Sequence, residues 1–226
     1  THMLGSHPGR GIQVHEKLIF QFLAGAVAAW WVYTKLDPHW HSLAIPFDGR
    51  IYAGAWIVPI IILFVMFTAN AVNIADGLDG LAGGSLLITF VGLTVISWIE
   101  GRTAFAPLNA TVAGSLLAYT YFNIKPARFQ MGDVGSLGLG ALLAINMISI
   151  DKTLYIPIFG FIFYLEALAV ILQVFSRRLF GRRLFKMAPF HHHLEFKGWS
   201  EEKIVMRFWI IHALVVVVGI WMAIYK

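Results

Sequence analysis

Four polar residues interrupt apolar sequence in NAVNIADGLDGLAGG, residues 70–84, where Asn70, Asn73, Asp76 and Asp79 recur at every third position. Were a helix to run on through them, this spacing would keep all four near one face. The interleaved Gly77, Gly80, Gly83 and Gly84 allow close backbone approach. Carboxylates at the edge of hydrocarbon are costly to hold and tend to mark function, so the pattern reads as a binding surface. A polar, glycine-rich turn between two helices is the plainer alternative.

A second group lies in FNIKPARFQMGDVGSLGLG, residues 122–140. Pro126 ends the helix before it, and Gly132, Gly135 and Ser136 frame Asp133 at the start of the next one. Free N–H groups at a helix start suit an anion, and a lone aspartate beside them suits the magnesium that accompanies a diphosphate. The same aspartate could equally serve only as a helix cap. The third group is MAPFHHHLEFKGW, residues 187–199, with His191, His192 and His193 in a row. Imidazole can donate to phosphate oxygens, bind a metal or carry a proton. On a regular helix adjacent residues diverge by about 100°, so joint ligation by all three requires an irregular loop, and phosphate contact is the better reading. Glu166 and Gln173, seven apart in an apolar segment, either line the same site or bind a neighbouring helix.

The segments around these groups are those of a membrane protein. Of 226 residues, 58% are hydrophobic and 13% charged, and the mean hydropathy is +0.73, whereas soluble domains are about 25% charged. No cysteine is present, which excludes disulfides and thiolate metal sites. Spans of about 20 apolar residues are predicted near 18–35, 51–70, 80–98, 107–122, 134–150, 154–175 and 204–225. The expected fold is all-α: a single transmembrane helical domain over residues 11–226, preceded by a start, residues 1–10, that reads as a cloning remnant or disordered segment.

Seven spans divide the loops into two sets. Twelve of the 17 basic residues, among them Lys17, Lys125, Arg128 and the run Arg177 to Lys186, fall in one set and five in the other, which assigns the first to the cytoplasm. The basic run reads as the ordinary anchor of such a loop. All three polar groups lie on that same side, so one cytoplasmic-face site is expected.

Taken together, the three motifs resemble the polyprenyl-phosphate hexosamine-1-phosphate transferases, over nearly all of residues 12–226. The MAPFHHHLE form resembles the phospho-N-acetylmuramoyl-pentapeptide branch rather than the N-acetylglucosamine relatives. The resemblance implies a multi-pass enzyme of the bacterial inner membrane that transfers phospho-MurNAc-pentapeptide from UDP-MurNAc-pentapeptide to undecaprenyl phosphate. The products would be lipid I and UMP, for peptidoglycan synthesis, with Mg²⁺ as cofactor. It further implies Asp133 as magnesium ligand and catalytic residue, with His191, His192 and His193 at the phosphate or sugar. Asn70, Asn73, Asp76, Gly77 and Asp79, together with Asn123, Phe129, Gln130, Gln173 and Ala188, would bind substrate. The expected partners are the two substrates, the lipid bilayer and a second copy in a homodimer, with no nucleic acid.

Two departures stand out. The family has ten spans, and its aspartate pair and a glycine-rich stretch near the first helices, set before the region present here, have no counterpart in this sequence, which points to a truncated form resembling the last seven spans. Gln130 occupies the place of the family's uracil-stacking aromatic, with Phe129 one position early. A related N-acetylhexosamine transferase, or a membrane protein that binds nucleotide without catalysis, are the alternative readings.

Overall fold

The computed structural model describes residues 13–36, 38–46 and 49–225, so the reading of residues 1–10 lies outside the described part. Helix α1 spans Val14–Lys35 and is followed by a short antiparallel hairpin, β1 Ser42–Ala44 and β2 Arg50–Tyr52, in the register Leu43 to Ile51. Helices α2 (Ile57–Ala75), α3 (Leu81–Ile99), α4 (Phe105–Asn123) and α5 (Gly132–Ser149) follow. The chain then forms the single turn α6 (Ile156–Phe159), then α7 (Phe161–Phe180), the short α8 (Phe190–Phe196) and finally α9 (Glu201–Ile224).

The all-α membrane fold stands, with three corrections to the spans. The second begins six residues later than expected, because Ile51 and Tyr52 sit in β2, and it runs on through Ala75, carrying Asn70 and Asn73 inside the helix. The expected span 154–175 is not one rod: the segments Thr153–Phe159 and Phe161–Phe180 meet at 86°. Among the described residues, five helices are long and apolar enough to cross a membrane, or six if the bent pair is counted as one, rather than seven. The remaining helix is α4, whose Asn109, Thr111, Ser115, Thr120 and Asn123 dilute its apolar character. Glycines in the fifth segment do not break it; α5 is continuous.

Packing divides between α2, which lies against α1, α5 and α7, and α3, which lies against α4 and α9. Polar pins tie the elements together within the bundle. Asn146 donates to Asn109 at 2.9 Å, linking α5 to α4, and Asn109 donates to Ser97 of α3 at 3.3 Å. In hydrocarbon, helices associate by close van der Waals contact between small residues. Gly140 is the tightest such point of the α2–α5 contact: a Cβ there would stand 2.7 Å from Ala69 Cα and 2.9 Å from the Thr68 carbonyl, both backbone atoms that cannot yield independently. Gly140→Val is therefore expected to destabilise the bundle by about 3 kcal/mol, read as a lower melting temperature of the detergent-solubilised protein; an unchanged melting temperature would contradict the packing.

Candidate functional site

The three polar groups meet at one end of the bundle, where α2 stops. Asp76, the first residue past α2, has left helical backbone (φ −78°, ψ 43°), and Gly80, at φ 84°, takes up the left-handed turn that starts α3. The helix thus does not continue through all four polar residues, and they do not share one face. Asn70 turns toward α1, donating to Gln21 at 2.5 Å and to the Met66 carbonyl at 2.8 Å. Asn73, one turn on, reaches α5 instead: its amide donates to Asp133 Oδ1 and to Ser136 Oγ, each at 2.9 Å. Asp133, with half of its side-chain surface exposed, also pairs with the ammonium of Lys17 on α1.

Asp79 and Asn123 build the frame of this site. The Asp79 carboxylate accepts the Ala127 N–H at 3.0 Å, which holds the 124–131 loop against the turn. Asn123 accepts the Gly80 N–H and donates to the Phe129 carbonyl, each at 3.0 Å, so both ends of its amide are occupied by backbone. Trp209 of α9 closes the other side of the turn by donating to the Gly80 carbonyl at 3.1 Å. Phe129 packs on Tyr119 and Phe122, with ring centroids 5.5 and 6.0 Å apart, and remains partly exposed beside the exposed Gln130.

Asp76 lies close to Gly132 and Asp133. Burial raises its pKa from 3.8 to about 6, the Gly132 backbone N–H opposes this, and the Asp133 charge adds to it. Because the folded state favours the protonated form, the contribution of this group to stability is complete below about pH 4 and is lost as pH rises through about 6. Asp76→Asn, neutral at every pH, is thus expected to melt a few degrees above the parent near pH 7.5 in metal-free buffer, a gain that disappears near pH 4. A pH-independent difference between the two would contradict the burial.

On the far side of the same turn lies the histidine motif. The three histidines sit on α8, not on an irregular loop, and they diverge as a helix requires. His191 is 1% exposed; its Nε2 would stand 2.7 Å from a Cβ placed on Gly77, so the bare glycine is what admits the ring. Its Nδ1 lies 3.2 Å from Glu166 Oε2, off hydrogen-bond alignment. His192 meets Glu195 at 2.5 Å, and His193 accepts the Lys186 N–H at 3.2 Å. Desolvation, then the nearby cations Lys197 and Lys186, push the His193 imidazole below its ordinary range.

Two side chains of α7 support this motif. The buried Glu166 carboxylate accepts the Phe190 N–H at 2.6 Å and the His191 N–H at 3.1 Å, capping α8 and compensating its exposed first donors. Gln173 brackets Phe185, donating to its carbonyl at 2.9 Å and accepting its N–H at 2.8 Å. Both hold the 181–189 loop and its Ala188 in place.

The Asp76–Gly77 dipeptide therefore joins the site: one residue faces Asp133, the other carries the histidine ring. Lys17 is the residue beside Asp133 that sequence spacing did not single out, whereas Ser136, already read as framing Asp133, shares the Asn73 amide with it. Lys17 is 116 positions from Asp133, and its only sequence signal is its membership of the larger basic set. Among the described residues no three histidine, aspartate or glutamate side chains gather to enclose a metal, so a cation here would rest on Asp133 and Asp76 with ligands supplied by a substrate.

The profile of glycosyl transferase family 4 matches residues 9–151. A phospho-N-acetylmuramoyl-pentapeptide-transferase of Caldanaerobacter subterraneus subsp. tengcongensis is 36% identical over 212 residues, which cover 93% of this chain and 66% of that protein. Similar proteins of the same name are 39% identical in Levilactobacillus brevis, over 96% of this chain and 66% of the relative, and 40% identical in Clostridium perfringens, over 89% and 63%. The chain thus spans 63 to 66% of the length of these curated relatives.

Proposed function

The chain belongs to glycosyl transferase family 4, and from that premise we propose that it carries the reaction centre of a phospho-N-acetylmuramoyl-pentapeptide transferase. The reaction moves phospho-MurNAc-pentapeptide from UDP-MurNAc-pentapeptide to undecaprenyl phosphate, yielding lipid I and UMP for peptidoglycan synthesis. An oxygen of the lipid phosphate bonds to the sugar-linked phosphorus while the bond from that phosphorus to the bridging oxygen breaks, and UMP departs with the bridging oxygen.

The observation that carries this reading is the Asp76–Gly77 turn, with a carboxylate and ammonium pair on one side and a buried histidine on the other. Phosphoryl transfer demands positioning and charge neutralisation more than covalent chemistry. Magnesium fits the donor set, since it is ordinarily held by one or two carboxylates plus substrate phosphates. The proximity of Asp133 to the partly buried Asp76 leaves negative charge that a cation would offset. When bound, the ion would neutralise diphosphate charge. Asp133 and Asp76 would hold it, Lys17 would face the phosphates, and Asn73 would keep Asp133 oriented. The turn from Asp76 to Asp79, with Phe129 and Gln130 across from it, would receive the nucleoside. His191, His192 and His193, with Ala188 in the preceding loop, would line the phosphate or sugar.

An apolar groove supports a lipid acceptor. Between α1 and α5 a cleft of about 270 Å³, walled by Phe20, Ala24, Val134 and Leu137, ends at Lys17 and Asp133. That is the form of site suited to an apolar tail with a phosphate head. The site would face the cytoplasm from the bacterial inner membrane, taking the nucleotide from water and the acceptor from the bilayer; a homodimer would complete the assembly, and no nucleic acid takes part.

The test combines product and sidedness. Membranes carrying the protein, given labelled UDP-MurNAc-pentapeptide, undecaprenyl phosphate and magnesium, are expected to yield labelled lipid; nucleotide binding without lipid product would replace the transferase with a binding protein. The absence of native cysteine also allows single cysteines beside Asp76, Asp133 and His191 to be labelled from either face. Reactivity on opposite faces would end the single-site reading.

A further inference from the structure

The 86° bend between α6 and α7 lies away from the candidate site, yet α7 carries both side chains that hold the histidine motif. The last carbonyls of a helix lack intrahelical donors, and that of Phe159, the final residue of α6, finds one in the hydroxyl of Thr89 on α3 at 2.8 Å. The same hydroxyl is 3.0 Å from the Ser85 carbonyl and 2.9 Å from His212 Nε2 of α9. A hydroxyl has one proton to give and lone pairs to receive. With the His212 proton on Nε2, a continuous relay forms: His212 donates to Thr89, and Thr89 donates to Phe159.

The ring of Phe159 is buried between α3 and α9. A Cβ on Gly92 of α3 would stand 2.4 Å from Val216 Cγ1 and 3.3 Å from the ring, and one on Gly219 of α9 would stand 2.8 Å from Ile158 Cγ2 and 3.1 Å from the ring, so both helices are bare where α6 and its Phe159 pack against them. Thr89 and Gly92 are three apart, and His212 and Gly219 seven apart, so each pair shares one helix face. Thr89, His212 and Phe159 are all fully buried. Phe163, in the first turn of α7, sets its ring edge-on to His212 with centroids 5.9 Å apart.

We propose that Thr89 and His212 form a buried latch that sets the angle between α6 and α7 and so positions the histidine helix against Gly77. Both are positioning residues, without contact to the site. Geometry makes the latch consequential. At 1.5 Å per residue, Glu166 lies roughly 9 Å and Gln173 roughly 20 Å beyond Gly160, so a 10° change at the bend moves them by about 1.5 and about 3 Å. A shift of about 1 Å in catalytic geometry can cost about 100-fold in rate.

The angle is testable without any assay of the reaction, so its failure and that of the transferase reading are separable. Spin labels on cysteines introduced at Leu117 of α4 and Leu179 of α7, 61% and 60% exposed, report the distance between the bundle and the end of α7 by pulsed electron paramagnetic resonance in nanodiscs. The parent and Thr89→Ser, which keeps the hydroxyl, are expected to share one narrow distance. The isosteric Thr89→Val, and His212→Phe, are expected to broaden or displace it by about 3 Å or more, with helical content retained by circular dichroism. In the active protein Thr89→Val is expected to lower kcat by about 10-fold or more with little change in KM, and Thr89→Ser to restore it. An unchanged distance in both disrupting variants overturns the latch. So does Thr89→Ser shifting as far as Thr89→Val, or Thr89→Val losing its fold while Thr89→Ser keeps it, since the hydroxyl would then serve stability and not the angle.

Discussion

Asp133→Asn is expected to abolish magnesium-dependent formation of labelled lipid, by about 10³-fold or more, while leaving the fold in place. The substitution preserves size and one carbonyl oxygen, so the bond from Asn73, 2.9 Å in the parent, has an acceptor still. What disappears is the charge, and the position of Oδ2 is filled by an amide facing the Lys17 ammonium, donor against donor. Because half of the Asp133 side-chain surface is exposed, the ion pair adds at most about 1 kcal/mol to stability, and the melting temperature should move little. A large loss of activity with a small loss of stability separates a functional carboxylate from a structural one. Full activity in the variant would remove both the magnesium assignment and the catalytic role of Asp133.

Gly77→Ala should cost about 10- to 100-fold in turnover. The new methyl would lie 2.7 Å from His191 Nε2 and 3.1 Å from Cε1. An exposed imidazole would rotate away, but His191 is 1% exposed and its backbone N–H is tied to Glu166 at 3.1 Å, so the clash must shift α8 as a whole. The decisive measurement is a double-mutant cycle. If the two residues act through this contact, Gly77→Ala in a His191→Ala background should lower activity little further. Fully multiplicative losses would show that Gly77 acts elsewhere.

Both expectations depend on contacts between residues more than a hundred positions apart, and that distance divides what was legible in the chain from what was not. Hydrophobicity and charge are properties of a segment, so the apolar runs identified a helical membrane protein. The basic residues sorted the loops, and contacts in the structure respect the sorting: Lys17 meets Asp133 at one end, while Arg50 meets Asp151 and Lys152 meets Glu100 at the other. The motifs around Asp76, Asp133 and His191 were legible for the same reason, since polar residues at apolar boundaries declare themselves locally.

Other features followed from packing between helices. Helix continuation would have placed Asn70 through Asp79 on one face; α2 instead stops at Ala75, because the glycine turn and its bonds to Asn123 and Trp209 draw the backbone away. The apolar run of residues 154–175 looks like one span because composition carries no angle, and the bend at Gly160 depends on Thr89 and His212 from two other helices. Lys17 beside Asp133, Glu166 beneath α8 and the bare face of Gly77 under His191 are likewise invisible to spacing. A one-dimensional pattern specifies which side of an element is apolar. Which partner meets its polar side depends on how the helices cross, and that is a property of the assembled bundle alone.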